Sequence, residues 1–205
     1  FKLFKYQIMR FFRYILLTLS LFLISCSNNT KQSIDSPNGK IKLVFEIVDG
    51  ELKYNIKKNS QQIINPSSLG LILQDNLNLG KEVQLKNFEV DEFNETWTPL
   101  YGEFSKIKIH YKSLTLELNK GDVDFKITFR VYNDGVAFKY YVPKQKSIKN
   151  YNIIDEFTEF NLSSDDTAWW IPAFSYRRYE FLYAESKIDK ISKKYFSENI
   201  EDISY

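Results

Sequence analysis

Residues 123–142 read VDFKITFRVYNDGVAFKYYV. Val123, Phe125, Ile127, Phe129 and Val131 alternate with Asp124, Lys126, Thr128 and Arg130. A period of two puts the five apolar side chains on one face of a strand and the polar ones on the other. Asn133-Asp134-Gly135 supplies a turn, and Val136, Phe138, Tyr140 and Val142 carry the alternation back. Pro143, which has no N–H to give a ladder, ends the return strand. This stretch is a hairpin with one buried face, and it sets the fold class.

The same pattern extends in both directions. Ser36-Pro37-Asn38-Gly39-Lys40 is a turn that opens a strand with Ile41, Leu43, Phe45 and Ile47 on one face. Asp49-Gly50 is a preferred pair for a tight hairpin, and Leu52, Tyr54 and Ile56 return from it. Gln61–Ile64 adds a short strand, which Asn65-Pro66-Ser67-Ser68 is expected to break before Leu69–Leu73. Asp75–Glu82 has the composition of a polar loop. Val83–Phe93 is expected to be a strand with Phe88 and Val90 turned inward. Ile107 and Ile109, then Leu114, Leu116 and Leu118, alternate with polar residues, and Asn152–Leu162 is one more strand. Helical periodicity is weak and confined to Glu185–Lys194. Many short strands separated by turns indicate an all-β fold, a large antiparallel β-sandwich, and not βαβ units.

Several chemistries lack their residues. His110 is the single histidine and Cys26 the single cysteine, so a zinc site or a histidine-based triad has little to build on. His110 shares its strand face with Lys106 and Lys108, a solvated position. Seven glycines, none in a glycine-rich run, leave no phosphate-binding loop. The net charge is +2, and no basic run suggests a nucleic-acid partner. Carboxylate pairs such as Glu95 and Glu103, or Asp155 and Glu156, have no spacing that marks an acid and a base.

The N-terminal segment carries an address. Lys2, Lys5, Arg10 and Arg13 precede an apolar run, Tyr14–Ile24, of about 11 residues. That suits the core of a secretory signal and is short of the ~20 residues that span a bilayer. Leu23-Ile24-Ser25-Cys26 follows and resembles a bacterial lipobox, whose cysteine is acylated. These four basic residues are included in the net charge of +2, so the rest of the chain is slightly acidic. Residues 27–34 are polar and are expected to be a tether.

Asp165–Tyr183, DDTAWWIPAFSYRRYEFLY, gathers aromatic surface beside one carboxylate, Glu180. Adjacent tryptophans on a strand point to opposite faces, so of Trp169 and Trp170 one packs inward while the other faces a groove. An exposed indole face is a platform for the C–H face of a sugar; a buried one is core packing. Glu180 is an ion-pair partner of Arg177 or Arg178, or a ligand of a hard cation.

These landmarks, in order, resemble a known family. They are Ser36–Lys40, Glu95-Thr96-Trp97 with Gly102-Glu103, Arg130–Phe138, Thr158-Glu159-Phe160, Thr167–Pro172 and Glu180-Phe181-Leu182-Tyr183. Together they are similar to the N-terminal domain of glycoside hydrolase family 97, secreted bacterial α-glucosidases and α-galactosidases. The resemblance implies a β-super-sandwich akin to the galactose mutarotase fold. It implies a catalytic (β/α) barrel following in cis, which holds the catalytic carboxylates, so no catalytic residue is expected within residues 1–205 and the fragment alone is expected to be inactive. It also implies Ca²⁺ at the active site, with Glu180 as the one ligand from this domain. The segment before Glu180, Ala173–Tyr179, is more basic than the family's.

The resulting expectation divides the chain into a lipoprotein signal over 1–26 with Cys26 lipidated, a tether over 27–34, and a β-sandwich over 35–205. That sandwich is the carbohydrate-binding N-terminal domain of a calcium-dependent α-glycoside hydrolase, an α-glucosidase first, with Trp169 and Trp170 touching an α-glucan or α-galactoside oligosaccharide. The protein is expected in the periplasm or at the cell surface, held to a bacterial membrane by lipid. The alternative is a stand-alone carbohydrate-binding surface lipoprotein without catalysis.

Overall fold

The structure is a computed structural model that describes residues 29–162, 165–171 and 182–192. Its first sheet is antiparallel and runs in sequence order: β1 (Thr30–Asp35), β2 (Ile41–Val48), β3 (Glu51–Lys58) and β4 (Gln61–Ser68). Two short strands follow, β5 (Leu71–Leu73) and β6 (Leu77–Asn78). The second large sheet holds β7 (Gln84–Trp97), β8 (Ile107–Lys120), β9 (Val123–Tyr132) and β10 (Val136–Tyr141), in the order β10-β9-β8-β7. β11 (Ile153–Glu156) pairs with β5, and β12 (Thr167–Trp170) pairs with β13 (Ala184–Lys187).

The two four-stranded sheets face each other as a sandwich, with β1 over β8 and β2 over β9. The alternation in residues 123–142 is realised in register: Leu114 lies opposite Phe129, and Phe129 opposite Phe138. Phe125, Ile127, Phe129 and Val131 are buried, and Asp124 and Arg130 on the other face meet solvent. From the first sheet Leu43, Phe45, Leu52 and Tyr54 close onto them. Phe45 reaches Phe129 at 6.2 Å between ring centroids and Tyr54 reaches Phe138 at 5.8 Å. The fold is therefore the antiparallel β-sandwich that the period of two predicts.

Turn chemistry fixes the registers. Asp49 (φ 52°) and Gly50 (φ 79°) both sit in the left-handed region, the geometry of a two-residue hairpin between Val48 and Glu51. Ser36 is buried, and its Oγ accepts from the Ile41 N–H at 3.0 Å while donating to Asn38 Oδ1. The Asn38 N–H donates to Asn133 Oδ1 at 2.9 Å, so the turn before β2 is tied to the turn between β9 and β10.

Several expectations need correction. The tether expected over 27–34 is a strand from Thr30 on, because its backbone completes the ladder with β2 and Ile34 is buried in the core. Asn65–Ser68 does not break the chain. β4 is an edge strand whose register against β3 shifts between Tyr54 and Ile56, and that irregularity accommodates Pro66. The polar loop Asp75–Glu82 contains β6, with Leu79 fully buried. The strand at Asn152–Leu162 is shorter, since β11 ends at Glu156. Beyond it, Phe157 and Glu159 still donate backbone hydrogen bonds to Gly70 and Ser68. Glu185–Lys194 begins as strand β13, followed by a 3-10 turn at Ile188–Lys190.

Phe88 and Val90 point to the inner face, opposite Leu116 and Leu114, yet they are 45% and 51% exposed. The first sheet's outer strand β1 covers β8, and β7 reaches past it.

Candidate functional site

The tryptophan pair falls on a short hairpin. In β12 the burial alternates, so Thr167 and Trp169 face solvent while Ala168 and Trp170 are half-buried. The register against β13 sets Trp169 opposite Glu185 and Trp170 opposite Ala184. The Trp170 Nε1–H donates to Ser186 Oγ at 3.0 Å, and Ser186 Oγ donates to the Lys187 carbonyl. Trp170 is thus oriented by β13, and Trp169, 65% exposed, offers an indole face to solvent. Glu185 is exposed on the same side.

Directly opposed residues of an antiparallel pair have Cβ atoms ~4.5–5.5 Å apart, so the indole and the Glu185 carboxylate share one patch. A flat apolar face with an acceptor beside it is what a sugar ring needs, since it presents C–H bonds on its face and hydroxyls at its edge. The sequence does not single out Glu185, because the periodicity of residues 185–194 is weakly helical; only strand pairing brings it to Trp169. Glu180 and Cys26, the other expected site residues, lie outside the described residues. Among the described residues no three His, Cys, Asp or Glu side chains converge as a metal site.

A polar network holds the segment before this hairpin to the sandwich. The Tyr54 hydroxyl donates to the Glu159 carbonyl at 2.7 Å. Burial, with Tyr140 and Glu159 nearby, pushes the Tyr54 hydroxyl up to about 12. The Glu159 carboxylate accepts from the Ser68 N–H at 2.8 Å, and that hydrogen bond holds its pKa below the usual carboxylate range. Tyr140 Oη accepts from the Gly70 N–H at 3.0 Å and lies 2.8 Å from Thr158 Oγ1, which donates to Glu156. The expected landmark Thr158-Glu159-Phe160 is therefore a structural clamp.

Two further features have chemistry of their own. A groove of about 400 Å³ opens beside the β9–β10 turn, walled by Ile41, Ile56, Ile63 and Phe160 with Lys58 and Asp134 at its rim. His110 Nε2 lies 2.7 Å from Glu92 Oε1 on the two strands β7 and β8, a cross-strand pair at a partly exposed position.

Comparison with known proteins places this geometry. The family model described as glycosyl-hydrolase 97 N-terminal matches residues 34–199. The chain belongs to this family. As a glycosyl-hydrolase 97 N-terminal domain it is 26% identical over 190 residues to a retaining α-galactosidase of Bacteroides thetaiotaomicron, covering 87% of this chain and 28% of that protein.

Among solved structures, a glycoside hydrolase family 97 enzyme variant from Pseudoalteromonas sp. strain K8 in complex with panose superposes with a TM-score of 0.73. It is 27% identical, over 78% of this chain and 25% of that one. The enzyme from the same strain in complex with acarbose gives a TM-score of 0.71 at 27% identity, over 76% and 24%. The chain thus spans about a quarter of the length of the relatives it matches.

Proposed function

We propose that this glycosyl-hydrolase 97 N-terminal domain is the carbohydrate-binding part of a calcium-dependent α-glycoside hydrolase, an α-glucosidase, and forms one edge of its active site. The catalytic acid and base belong to a barrel that follows in cis. The protein is held by lipid on Cys26 to a bacterial membrane, facing the periplasm or the cell surface. The observation that carries the sugar-binding reading is Trp169, its indole exposed opposite Glu185. Family membership supports the hydrolase, and the panose and acarbose complexes of the Pseudoalteromonas enzyme support an α-glucoside. The name of the Bacteroides relative favours an α-galactoside instead. Rates on an aryl α-glucoside against an aryl α-galactoside decide between them.

Panose added to the chain shifts its tryptophan emission, and Trp169→Ala weakens that binding about tenfold, about 1.4 kcal/mol. Trp97→Phe serves as a control, because Trp97 is also exposed and contributes emission. Equal affinity in Trp169→Ala and the parent would remove Trp169 from the site.

The calcium ion takes oxygen ligands, and Glu180 supplies one carboxylate while the others come from the rest of the protein. When bound, the ion would supply positive charge to the hydrolysis. In the intact protein Glu180→Gln raises the calcium concentration needed for half-maximal hydrolysis about tenfold, with an unchanged far-UV spectrum. A calcium titration that superimposes on the parent's would take Glu180 out of the ligand set.

A further inference from the structure

We infer that the far end of the β7–β8 hairpin is an arm on which the following domain of the intact protein docks. The inference rests on the reading above that this protein continues into a further domain. β7 and β8 pair over their whole length, from Gln84↔Asn119 to Trp97↔Ile107. β9 accompanies β8 only as far as Tyr111↔Tyr132. The last four pairs, Asn94↔His110 to Trp97↔Ile107, therefore leave the sheet as a two-stranded ribbon closed by residues 98–106. At ~3.3 Å per residue the ribbon reaches roughly 13 Å beyond β9. A two-stranded ribbon alone in water is marginally stable at best.

Its surface is also wrong for solvent. Leu100 is 99% exposed, Tyr101 90%, Phe104 64% and Trp97 45%. Four large apolar side chains exposed within eight residues of one hairpin end mark a contact surface. A surface covered permanently, from the moment the chain folds, tolerates bulky Leu and Phe, because obligate interfaces resemble a domain core cut in half.

A sugar is a poorer match. Leu100, the most exposed of these side chains, has no flat face to stack on a pyranose. The occupant in cis also fits the lengths, since about three-quarters of each relative's chain lies outside the part matched here. The chemistry expected of the docking surface is an apolar groove, wide enough for a hairpin, with polar groups at its rim to meet Glu95, Glu103, Lys106 and Lys108 of the ribbon and its loop.

The test compares amide hydrogen exchange over residues 94–110 in the 205-residue chain and in the intact protein. Exchange at least tenfold slower in the intact protein is expected. The double substitution Leu100→Asp and Phe104→Asp should abolish that protection there. In the 205-residue chain the same pair should leave exchange in β2, β3 and β9 unchanged, because both side chains already meet water. Equal exchange in the two proteins overturns the inference. So does protection of the 205-residue chain that grows with its concentration, which would mean a second copy, or protection that appears only with oligosaccharide. A reading frame that ends at Tyr205 overturns it as well. Protection in an intact protein without α-glycosidase activity sinks the functional reading alone, and an active protein with an unprotected ribbon sinks the docking arm alone.

Discussion

Phe129→Ala lowers the unfolding free energy of the chain by about 3–5 kcal/mol. The ring is fully buried in the middle of β9 and touches the core from both sheets. Phe45 on β2 and Tyr54 on β3 lie 6.2 and 6.3 Å away between centroids, and Phe138 on β10 lies at 5.7 Å. Removing it loses the transfer free energy of the ring and leaves a cavity that four strands, each held in a ladder, have little freedom to close. Urea unfolding followed by far-UV circular dichroism measures the loss as a lower midpoint at constant slope. Phe88→Ala is the internal comparison. It removes a ring on the same inner direction of the same sheet, but one that is 45% exposed, and it should cost less than about 1.5 kcal/mol. Similar costs at the two positions would contradict the placement of β7 beyond the edge of the first sheet.

That pair of residues also shows where the sequence speaks and where it stops. Alternation identifies which face of a strand is apolar, and it did so for β2, β3, β8, β9 and β10. It cannot say whether another sheet lies over that face. Phe88 and Val90 carry the same signal as Phe129, and the register does point them inward, but burial depends on how far the opposing sheet extends. Pro66 is a similar case. Proline disfavours a central strand, and only knowledge that β4 is an edge with an irregular register removes the objection. Polar Thr30–Asp35 has no strand signal beyond Ile34, and it becomes a strand because β2 leaves an edge for it to pair with.

For the site, the alternation of Trp169 and Trp170 was legible, because side chains on a strand alternate whatever the surroundings. The partner carboxylate was not. Glu185 is brought to Trp169 by the β12–β13 register, a relation between residues sixteen positions apart. The landmark Glu159 is a carboxylate inside a matched motif, and its Oε2 accepts from the backbone of β4. A motif locates the family; hydrogen-bond partners decide which of its acids are available.

Gly80→Ala destabilises the chain by about 1–3 kcal/mol, although position 80 lies in a segment that composition marks as a loop. The glycine is buried, and its N–H donates to Asn78 Oδ1 at 2.8 Å while its carbonyl accepts from Leu52 at 3.2 Å. A Cβ there would lie 2.4 Å from Cζ of Phe157 and 2.6 Å from the carbonyl oxygen of Leu69. Gly70 lies across from it, and a Cβ on Gly70 would come within 2.2 Å of the same Phe157 atom. The ring of Phe157 thus sits across two glycines whose backbones are in contact, and neither position has room for a methyl group. Relief requires the ring to swing out or the backbone at Gly80 to move, which loosens the hydrogen bond to Leu52. The ring therefore predicts a coupling. Combined with Phe157→Ala, Gly80→Ala should cost at least ~1 kcal/mol less than it does alone, while retaining a residual cost from the Leu69 carbonyl. Strictly additive losses in urea unfolding would show that the ring does not rest on Gly80.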